Sequence, residues 1–236
     1  MPVPPSPRPT RRELLKMLPV AGAAVLLHPD WRSHLVAHGL ALSDAISERT
    51  FNPRVSAPAY ADHEVTPFDR FPLNSYLVHD PEIDLDEWRL EVSGRVARPG
   101  EYSLRDLSQL PRVRQNTRHI CIEGWDVVGS FGGVRLADVL RLVGADPYAR
   151  VLEISCADDY YDSLDMATAW HWQSLLCDEM YGRPLTREHG APLRLVLPTK
   201  LGYKQPKSIV GFRVSDVLGP KRGYWVDQGY SWYGGL

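Results

Sequence analysis

The sequence predicts an α+β domain with a large mixed β-sheet, arranged as a sandwich and accompanied by short helices. Segments with strand-like apolar patterns outnumber those with helical periodicity. The two kinds of segment do not alternate regularly, as a parallel βαβ sheet would require. At 236 residues and 44% hydrophobic composition, the chain can also bury one sizeable core.

The individual elements can be read in chain order. The first helix, "SLRDLSQL", is expected to begin at an N-cap, Ser103. The second, "VRLADVLRLVGA", carries an apolar stripe and should end at Gly144. "YGRPL" reads as a turn. The predicted strands are "EWRLEVSG", "TRHICIE", "ARVLEIS", "LLCDEM", "PLRLVLP" and "SIVGFRVS".

The first 43 residues are interpreted as an export signal. Arg11 and Arg12 form a twin-arginine pair, and an apolar run of eleven residues (17–27) follows. That run is too short to span a bilayer, which takes about 20 residues. We therefore expect an extracytoplasmic, periplasmic location, with the signal cleaved or kept as an anchor. The alternative is a chance arginine pair before an amphipathic helix.

Two further boundaries follow from composition. Residues 44–72 are rich in Pro, Ala and polar residues without periodicity, which favours an extended linker that wraps the domain. Residues 73–236 should form the globular domain. The whole chain has a net charge of −2 and no dense Lys/Arg run, so we expect no nucleic-acid partner.

Cys121 is the residue whose chemistry the sequence leaves open. With only three cysteines, a disulfide framework is not expected. Cys121 could be an inert core thiol, a nucleophile paired with His119 on the same strand face, or a metal ligand. The spacing of a four-ligand zinc site is absent from the sequence. A lone thiolate could still bind a soft metal whose other ligands come from a cofactor such as a dithiolene.

Four segments carry a resemblance to a known family: "RHICIEGW", "DYYDSLDM", "YGRPLTREHGAPLRLVLPTKLGYKQPKSIVGFRVSD" and "GYWVDQGY". From about residue 69 to 230 the chain resembles the molybdopterin-binding domain of the sulfite oxidase family. It is most similar to the bacterial branch of periplasmic methionine-sulfoxide reductases. The resemblance implies that family's molybdopterin-binding fold and a Mo-molybdopterin cofactor. It also makes Cys121 the protein ligand to molybdenum, beside dithiolene and oxo ligands.

The resemblance also implies a set of cofactor contacts. Arg194 lies on a predicted buried strand, where a charge needs an anionic partner such as the cofactor phosphate. Its alternative is a surface cation on an edge strand, and that of His189 is an ordinary loop histidine. The implied cofactor-binding residues are Asn74, Tyr76, Cys121, Ser155, Cys156, His189, Arg194, Gln205, Pro206 and Lys207.

At the mouth of the site, the resemblance implies a catalytic set of Cys121, Tyr160, Trp125 and Lys204. Tyr160 falls where sulfite oxidases place an active-site tyrosine, and Lys204 where they place a substrate-binding arginine. The segment "IEGWD" lacks the arginine that sulfite oxidases carry there. Because sulfite binding calls for converging cations, a less charged substrate is favoured, with Trp125 as an aromatic wall. The alternative for Trp125 is a core aromatic.

The sequence thus predicts a molybdopterin-dependent oxidoreductase that performs two-electron oxygen-atom transfer on a small S-oxide or N-oxide. No CxxCH haem motif occurs in the sequence, so electrons should pass through a separate membrane or periplasmic haem protein. Family sulfite oxidases continue into a dimerisation domain that this sequence lacks, and we expect a monomer. The alternatives are a sulfite dehydrogenase and a cofactor-free binding module that retains the fold.

Overall fold

Two β-sheets form the framework of the computed structural model, which describes residues 31–75 and 80–236. The predicted export signal with Arg11 and Arg12, and the predicted cofactor contact Tyr76, lie outside the described residues. Three 3₁₀ turns (Asp62–Glu64, Phe68–Arg70 and Gly202–Lys204) accompany the regular elements. Those elements are α1 (Trp31–Thr50), β1 (Leu90–Gly94), β2 (Gly100–Tyr102), α2 (Leu104–Ser108), β3 (Arg112–Ile120), β4 (Asp126–Arg135), α3 (Leu136–Val143), β5 (Val151–Cys156), β6 (Tyr161–Asp165), α4 (Met166–Trp170), β7 (Leu175–Met180), β8 (Arg183–Pro184), β9 (Arg194–Val196) and β10 (Ile209–Ser215).

The sheet topology confirms the α+β class. The first sheet has the strand order β2-β1-β10-β5-β6, in which β1 runs parallel to β10 and the other pairs are antiparallel. The second sheet has the order β3-β4-β7-β8, with β9 also paired to β7, and is antiparallel throughout. The predicted mixed sheet is therefore two sheets, and only the first is mixed.

One hydrophobic core joins the two sheets. It contains Leu152 and Phe212 from the first sheet, Leu176 and Leu195 from the second, and the buried stripe of α3. Every one of these four side chains is less than 5% exposed. Burial of apolar side chains from both sheets in one cluster is what holds the layers together.

Local end signals at two helices are confirmed. The Ser103 hydroxyl accepts a hydrogen bond from the Asp106 backbone N–H at 3.2 Å, which caps α2. Gly144 ends α3 in the left-handed conformation at φ 65°, a backbone geometry that glycine adopts without steric cost.

The segment predicted as a linker is only partly extended. Its first residues, 44–50, belong to α1, so the predicted boundary at residue 44 falls inside a helix. The Asp44 carboxylate accepts hydrogen bonds from the backbone N–H groups of Trp232 and Tyr233 at 3.0 and 3.1 Å. These long-range bonds fix the end of the helix to the C-terminal residues.

The rest of that segment lies along the second sheet. The Thr66 N–H donates to the Val128 carbonyl at 2.9 Å, and the Ala57 N–H donates to the Gln173 side chain at 2.7 Å. Phe71, 6% exposed, packs edge-on against Phe131 of β4. The segment thereby covers the face of the second sheet that turns away from the main core.

Residues Ser43–Leu236 form one compact unit, which contains both sheets and the candidate site. Of the preceding unit, the structure describes only the first part of α1, residues Trp31–Leu42. None of the described helices is both long enough and apolar enough to cross a membrane.

Candidate active site

A five-residue turn between β3 and β4 presents Cys121. The predicted strand "TRHICIE" ends at Ile120, and the Cys121 N–H then donates to the Trp125 carbonyl at 2.9 Å. The chain reverses at Gly124, whose φ of +93° is strained for any residue with a side chain. The turn leaves the Cys121 side chain 8% exposed, at the edge of a cavity.

That cavity has a volume of about 440 Å³ and brings together most of the predicted site residues. They come from the segment before β1, the Cys121 turn, the loop after β5, and the chain between residues 188 and 207. Nine of them line the cavity: Asn74, Cys121, Trp125, Tyr160, His189, Arg194, Gln205, Pro206 and Lys207.

Glu123 is a neighbour of Cys121 that the predicted site did not include. Its Oε2 atom accepts hydrogen bonds from Trp125 Nε1 at 3.0 Å and from Asn74 Nδ2 at 3.2 Å. Both Oε2 and Asn74 Nδ2 lie 3.7 Å from Cys121 Sγ. The sequence did offer one signal for Glu123: it is an acidic residue that lies two positions from both Cys121 and Trp125.

The surroundings of Cys121 do not favour a nucleophile. Burial, together with the nearby Glu123 carboxylate, raises the pKa of the Cys121 thiol, whereas catalytic cysteines have lowered values. His119 Nδ1 lies 3.3 Å from Gln205 Oε1, so its polar contact is to that amide. Burial lowers the pKa of His119 to about 4, which keeps the imidazole neutral at physiological pH. The His–Cys pairing considered from the sequence is therefore not supported.

A metal site built by protein ligands alone is also not seen. In the described residues, no group of three or more His, Cys, Asp or Glu side chains could hold a metal ion. A metal at Cys121 would thus need most of its ligands from a cofactor.

Arg194 and His189 present unpaired polar atoms at the same cavity. Arg194, on β9, is 4% exposed and donates from Nη1 to the His189 carbonyl at 3.2 Å. Its Nε and the Nε2 of His189 are buried without a hydrogen-bond partner among the described residues. Burial lowers the pKa of both side chains. A buried guanidinium whose only described partner is a neutral carbonyl needs an anion, and the cavity has room for one.

Lys207 adds a second cation at this cavity. Its Nζ donates to the backbone carbonyls of Asn74 and Glu188, each at 2.8 Å. Gly190 makes the approach possible, because a Cβ there would lie 2.6 Å from Lys207 Cβ. Burial, and next the charge of Arg194, lower the pKa of Lys207. An anion placed beside these two cations would relieve their mutual repulsion.

Tyr160 lines the cavity as predicted. Its hydroxyl donates to the Tyr203 carbonyl at 2.7 Å, and its ring lies 5.5 Å from that of Tyr224. Tyr203, Trp225 and Tyr230 line the cavity as well. These aromatic side chains were not in the predicted site, although they lie in two of the segments that carry the family resemblance.

Lys204 is the clearest correction to the predicted site. Its side chain is fully buried and pairs with the Asp162 carboxylate while also donating to the Ser163 carbonyl at 2.9 Å. It does not line the cavity, although Tyr203 and Gln205 on either side do. Successive side chains of the 3₁₀ turn point about 120° apart, so this lysine faces the interior. The predicted substrate-binding role is not supported.

Ser155 and Cys156 are also placed outside the cavity lining. Ser155 is exposed on β5, and Cys156 is a 6% exposed member of the main hydrophobic core. The chain reaches the cavity only after β5 ends, at Asp158 and Tyr160. The structure therefore does not support a cofactor contact at either residue, although both lie on a correctly predicted strand.

Sequence comparison identifies the family to which this site belongs. The family described as "oxidoreductase molybdopterin binding domain" matches residues 77–225. The chain therefore belongs to this family, the sulfite oxidase family of molybdopterin-binding oxidoreductases, as the resemblance implied.

Individual relatives refine the comparison. The chain is 46% identical over 187 residues to the putative protein-methionine-sulfoxide reductase subunit YedZ1 of Azospira oryzae, covering 78% of this chain and 70% of the relative. It is 32% identical over 168 residues to the protein-methionine-sulfoxide reductase catalytic subunit MsrP of Xanthomonas campestris, covering 64% of this chain and 52% of that protein. The sulfane dehydrogenase SoxCD of Paracoccus pantotrophus shares the fold, with a TM-score of 0.55 and 22% identity over 60% of this chain and 42% of that one.

The residues present fit the cofactor that the family binds. Molybdopterin carries a phosphate, and its pterin offers hydrogen-bond donors and acceptors. The cavity supplies the buried cation Arg194 with an unpaired Nε, the unpaired His189 Nε2, and a thiol at its edge. The unpaired donors suit the anionic part of such a group, and Cys121 Sγ suits its metal.

We predict that Arg194→Met lowers molybdenum and pterin content while stabilising the cofactor-free protein. In the cofactor-free protein the guanidinium is buried without an anion, so its removal should raise the free energy of unfolding, on the order of 1–4 kcal/mol. Metal analysis, pterin fluorescence and urea unfolding of protein from a cofactor-deficient host would measure these effects.

The matched control is Arg213→Met on β10, where the arginine side chain is 62% exposed and pairs with Glu153. It should leave cofactor content unchanged and alter stability by less than about 1 kcal/mol. If Arg194→Met kept its full cofactor content, or if the cofactor-free variant were less stable than wild type, Arg194 would have a structural role instead.

Proposed function

We propose that the chain is the catalytic subunit of an S-oxide reductase in which Cys121 ligates molybdenum. The observation that carries this proposal is that one cavity is lined by both Cys121 and the buried Arg194, whose Nε has no hydrogen-bond partner among the described residues. A thiolate ligand and an anion-binding cation are the two protein contributions that a metal–dithiolene phosphate cofactor requires. The names of the two sulfoxide reductase relatives support the same reaction class.

In this proposal the cofactor supplies two-electron oxygen-atom transfer, and the protein residues hold and surround it. Arg194, His189 and Lys207 bind its anionic and polar parts. Asn74 donates hydrogen bonds toward Cys121 Sγ and Glu123, which orients both groups. Each sulfoxide reduced takes up two electrons and two protons and releases one sulfide and one water.

The aromatic residues of the cavity shape substrate access. Trp125 lies beside Cys121 with its indole N–H fixed on Glu123, and Tyr160 has its hydroxyl fixed on the Tyr203 carbonyl. Such surfaces suit a neutral sulfoxide with apolar substituents better than a small dianion. Because Lys204 is buried in an ion pair, it adds no cation for sulfite.

Cys121→Ser should abolish turnover and lower molybdenum content while the fold is retained, because the protein then loses its soft metal ligand. Turnover with an artificial electron donor, metal content and the unfolding midpoint are the measurements. Cys156→Ala is the matched control, since that thiol is equally buried but lies outside the cavity; it should keep its molybdenum. Full activity in Cys121→Ser would refute the ligand assignment.

For the wild-type enzyme, kcat/KM should be higher for methionine sulfoxide or trimethylamine N-oxide than for sulfite. Each charge-assisted contact that sulfite lacks here is worth about 1.5–3 kcal/mol, or roughly one to two decades in affinity. Steady-state kinetics with artificial donors and acceptors give the comparison. If sulfite oxidation had the highest kcat/KM, the sulfite dehydrogenase alternative would replace this proposal.

The proposal also covers how the protein is exported and how it receives electrons. Export would use the twin-arginine route, and a membrane or periplasmic haem protein would supply the electrons. The paired arginines in the sequence and the subunit names of relatives support it. A variant with Arg11→Lys and Arg12→Lys should accumulate in the cytoplasmic fraction and lose S-oxide reduction in cells. The same variant, purified, should still react with an artificial donor. Unchanged periplasmic delivery would show that the arginine pair is incidental.

A further inference from the structure

Glu123 is a negatively charged group beside Cys121 that the cofactor contacts do not use. It is exposed to the cavity mouth, and Oε2 lies 3.7 Å from Cys121 Sγ. The two N–H groups that donate to it belong to the uncharged side chains of Trp125 and Asn74. Neither of these donors brings a positive charge to the Glu123 carboxyl group.

The charge of Glu123 is not neutralised locally. Among the described residues, no Lys, Arg or His forms an ion pair with it. The two cations of the cavity are engaged elsewhere, Arg194 with the His189 carbonyl and Lys207 with the carbonyls of Asn74 and Glu188. A group approaching Cys121 therefore meets a fixed negative charge held by two hydrogen bonds.

We propose that Glu123 is a specificity-determining residue, which excludes anionic substrates and admits neutral or cationic S-oxides. This inference rests on the proposed function and names the charge class of its substrate. An anion-oxidising site needs converging cations at its reacting centre. Here a carboxylate oxygen lies 3.7 Å from the Cys121 sulfur instead.

The test compares two sulfoxides of similar size on cofactor-loaded protein: neutral dimethyl sulfoxide and the anion methylsulfinylacetate. The measured quantity is the ratio of their kcat/KM values, anion over neutral, so that a general change in rate cancels. Glu123→Gln keeps the shape and an acceptor for Trp125 but loses the charge. In that variant the ratio should rise at least about tenfold, the effect of removing one unit charge a few ångströms away.

Two controls separate charge from other causes. Glu123→Asp retains the charge and should keep the ratio within about threefold of wild type. Glu101→Gln makes the same change in net charge on β2, at an exposed position outside the cavity, and should leave the ratio unchanged. The increase of the kcat/KM ratio in Glu123→Gln should also become smaller at high ionic strength, because salt screens electrostatic interactions.

The outcomes distinguish this inference from the proposed function. An unchanged ratio in Glu123→Gln, or an equal rise in Glu123→Asp, would overturn the charge role while S-oxide reduction stood. If wild type reduced neither sulfoxide, the proposed function would fail. Calorimetric titration with sulfate would then decide the inference by itself. Glu123→Gln should bind sulfate at least about tenfold more tightly than wild type, and equal affinities would overturn it.

Discussion

The hydrogen-bonded turn that closes β3 onto β4 determines what the cavity can do. One backbone bond, from the Cys121 N–H to the Trp125 carbonyl, and the left-handed Gly124 fix the path of five residues. The thiol, the Glu123 carboxylate and the indole consequently face one small volume. Because residues 112–120 of β3 pair without a register shift with residues 126–134 of β4, the turn rests on a rigid hairpin. Rigid support of this kind is what a metal ligand requires.

Charge is divided across the cavity between its anion-binding part and its mouth. Arg194 and Lys207 lie on the side that we assign to the cofactor. Burial makes the charge of Arg194 costly without an anion, whereas Lys207 Nζ has the Asp80 carboxylate at 3.6 Å. Glu123 lies beside Cys121, where a substrate would approach. An anion is therefore favoured in one part of the cavity and disfavoured in the other. The same site can thus hold a phosphate-bearing cofactor firmly and still reject small anions as substrates.

Sequence patterns predicted the features that depend on neighbouring residues. The cap at Ser103, the end of α3 at Gly144 and the α+β class follow from local geometry and apolar periodicity, and the structure confirms them. The failures depend on distant partners. Lys204 can be buried because its ammonium group forms an ion pair with Asp162, 42 residues away in the sequence. Residues 44–50 join a helix whose end is held by the C-terminal backbone.

The candidate site shows the same limit. Of the twelve proposed residues that the structure describes, nine line one cavity. The resemblance did not include Glu123, which differs from other exposed acids only in its neighbours. Recognising Glu123 requires knowing that the Asn74 side chain, 49 positions away in the sequence, donates a hydrogen bond to it. Ser155 and Cys156 were assigned from the end of a strand, where an error of a few residues moves a side chain from the cavity to the surface or the core.

The cavity exists only when segments distant in sequence have come together. The Lys207 ammonium holds the Asn74 carbonyl across 133 positions of the chain. Arg194 is buried by the same closure, so folding without a cofactor brings its charge out of water with only a neutral carbonyl as described partner. Binding of an anionic cofactor supplies the missing partner and stabilises the folded state by mass action. Cofactor and fold are therefore coupled through Arg194. That coupling favours binding of the cofactor by the folded chain.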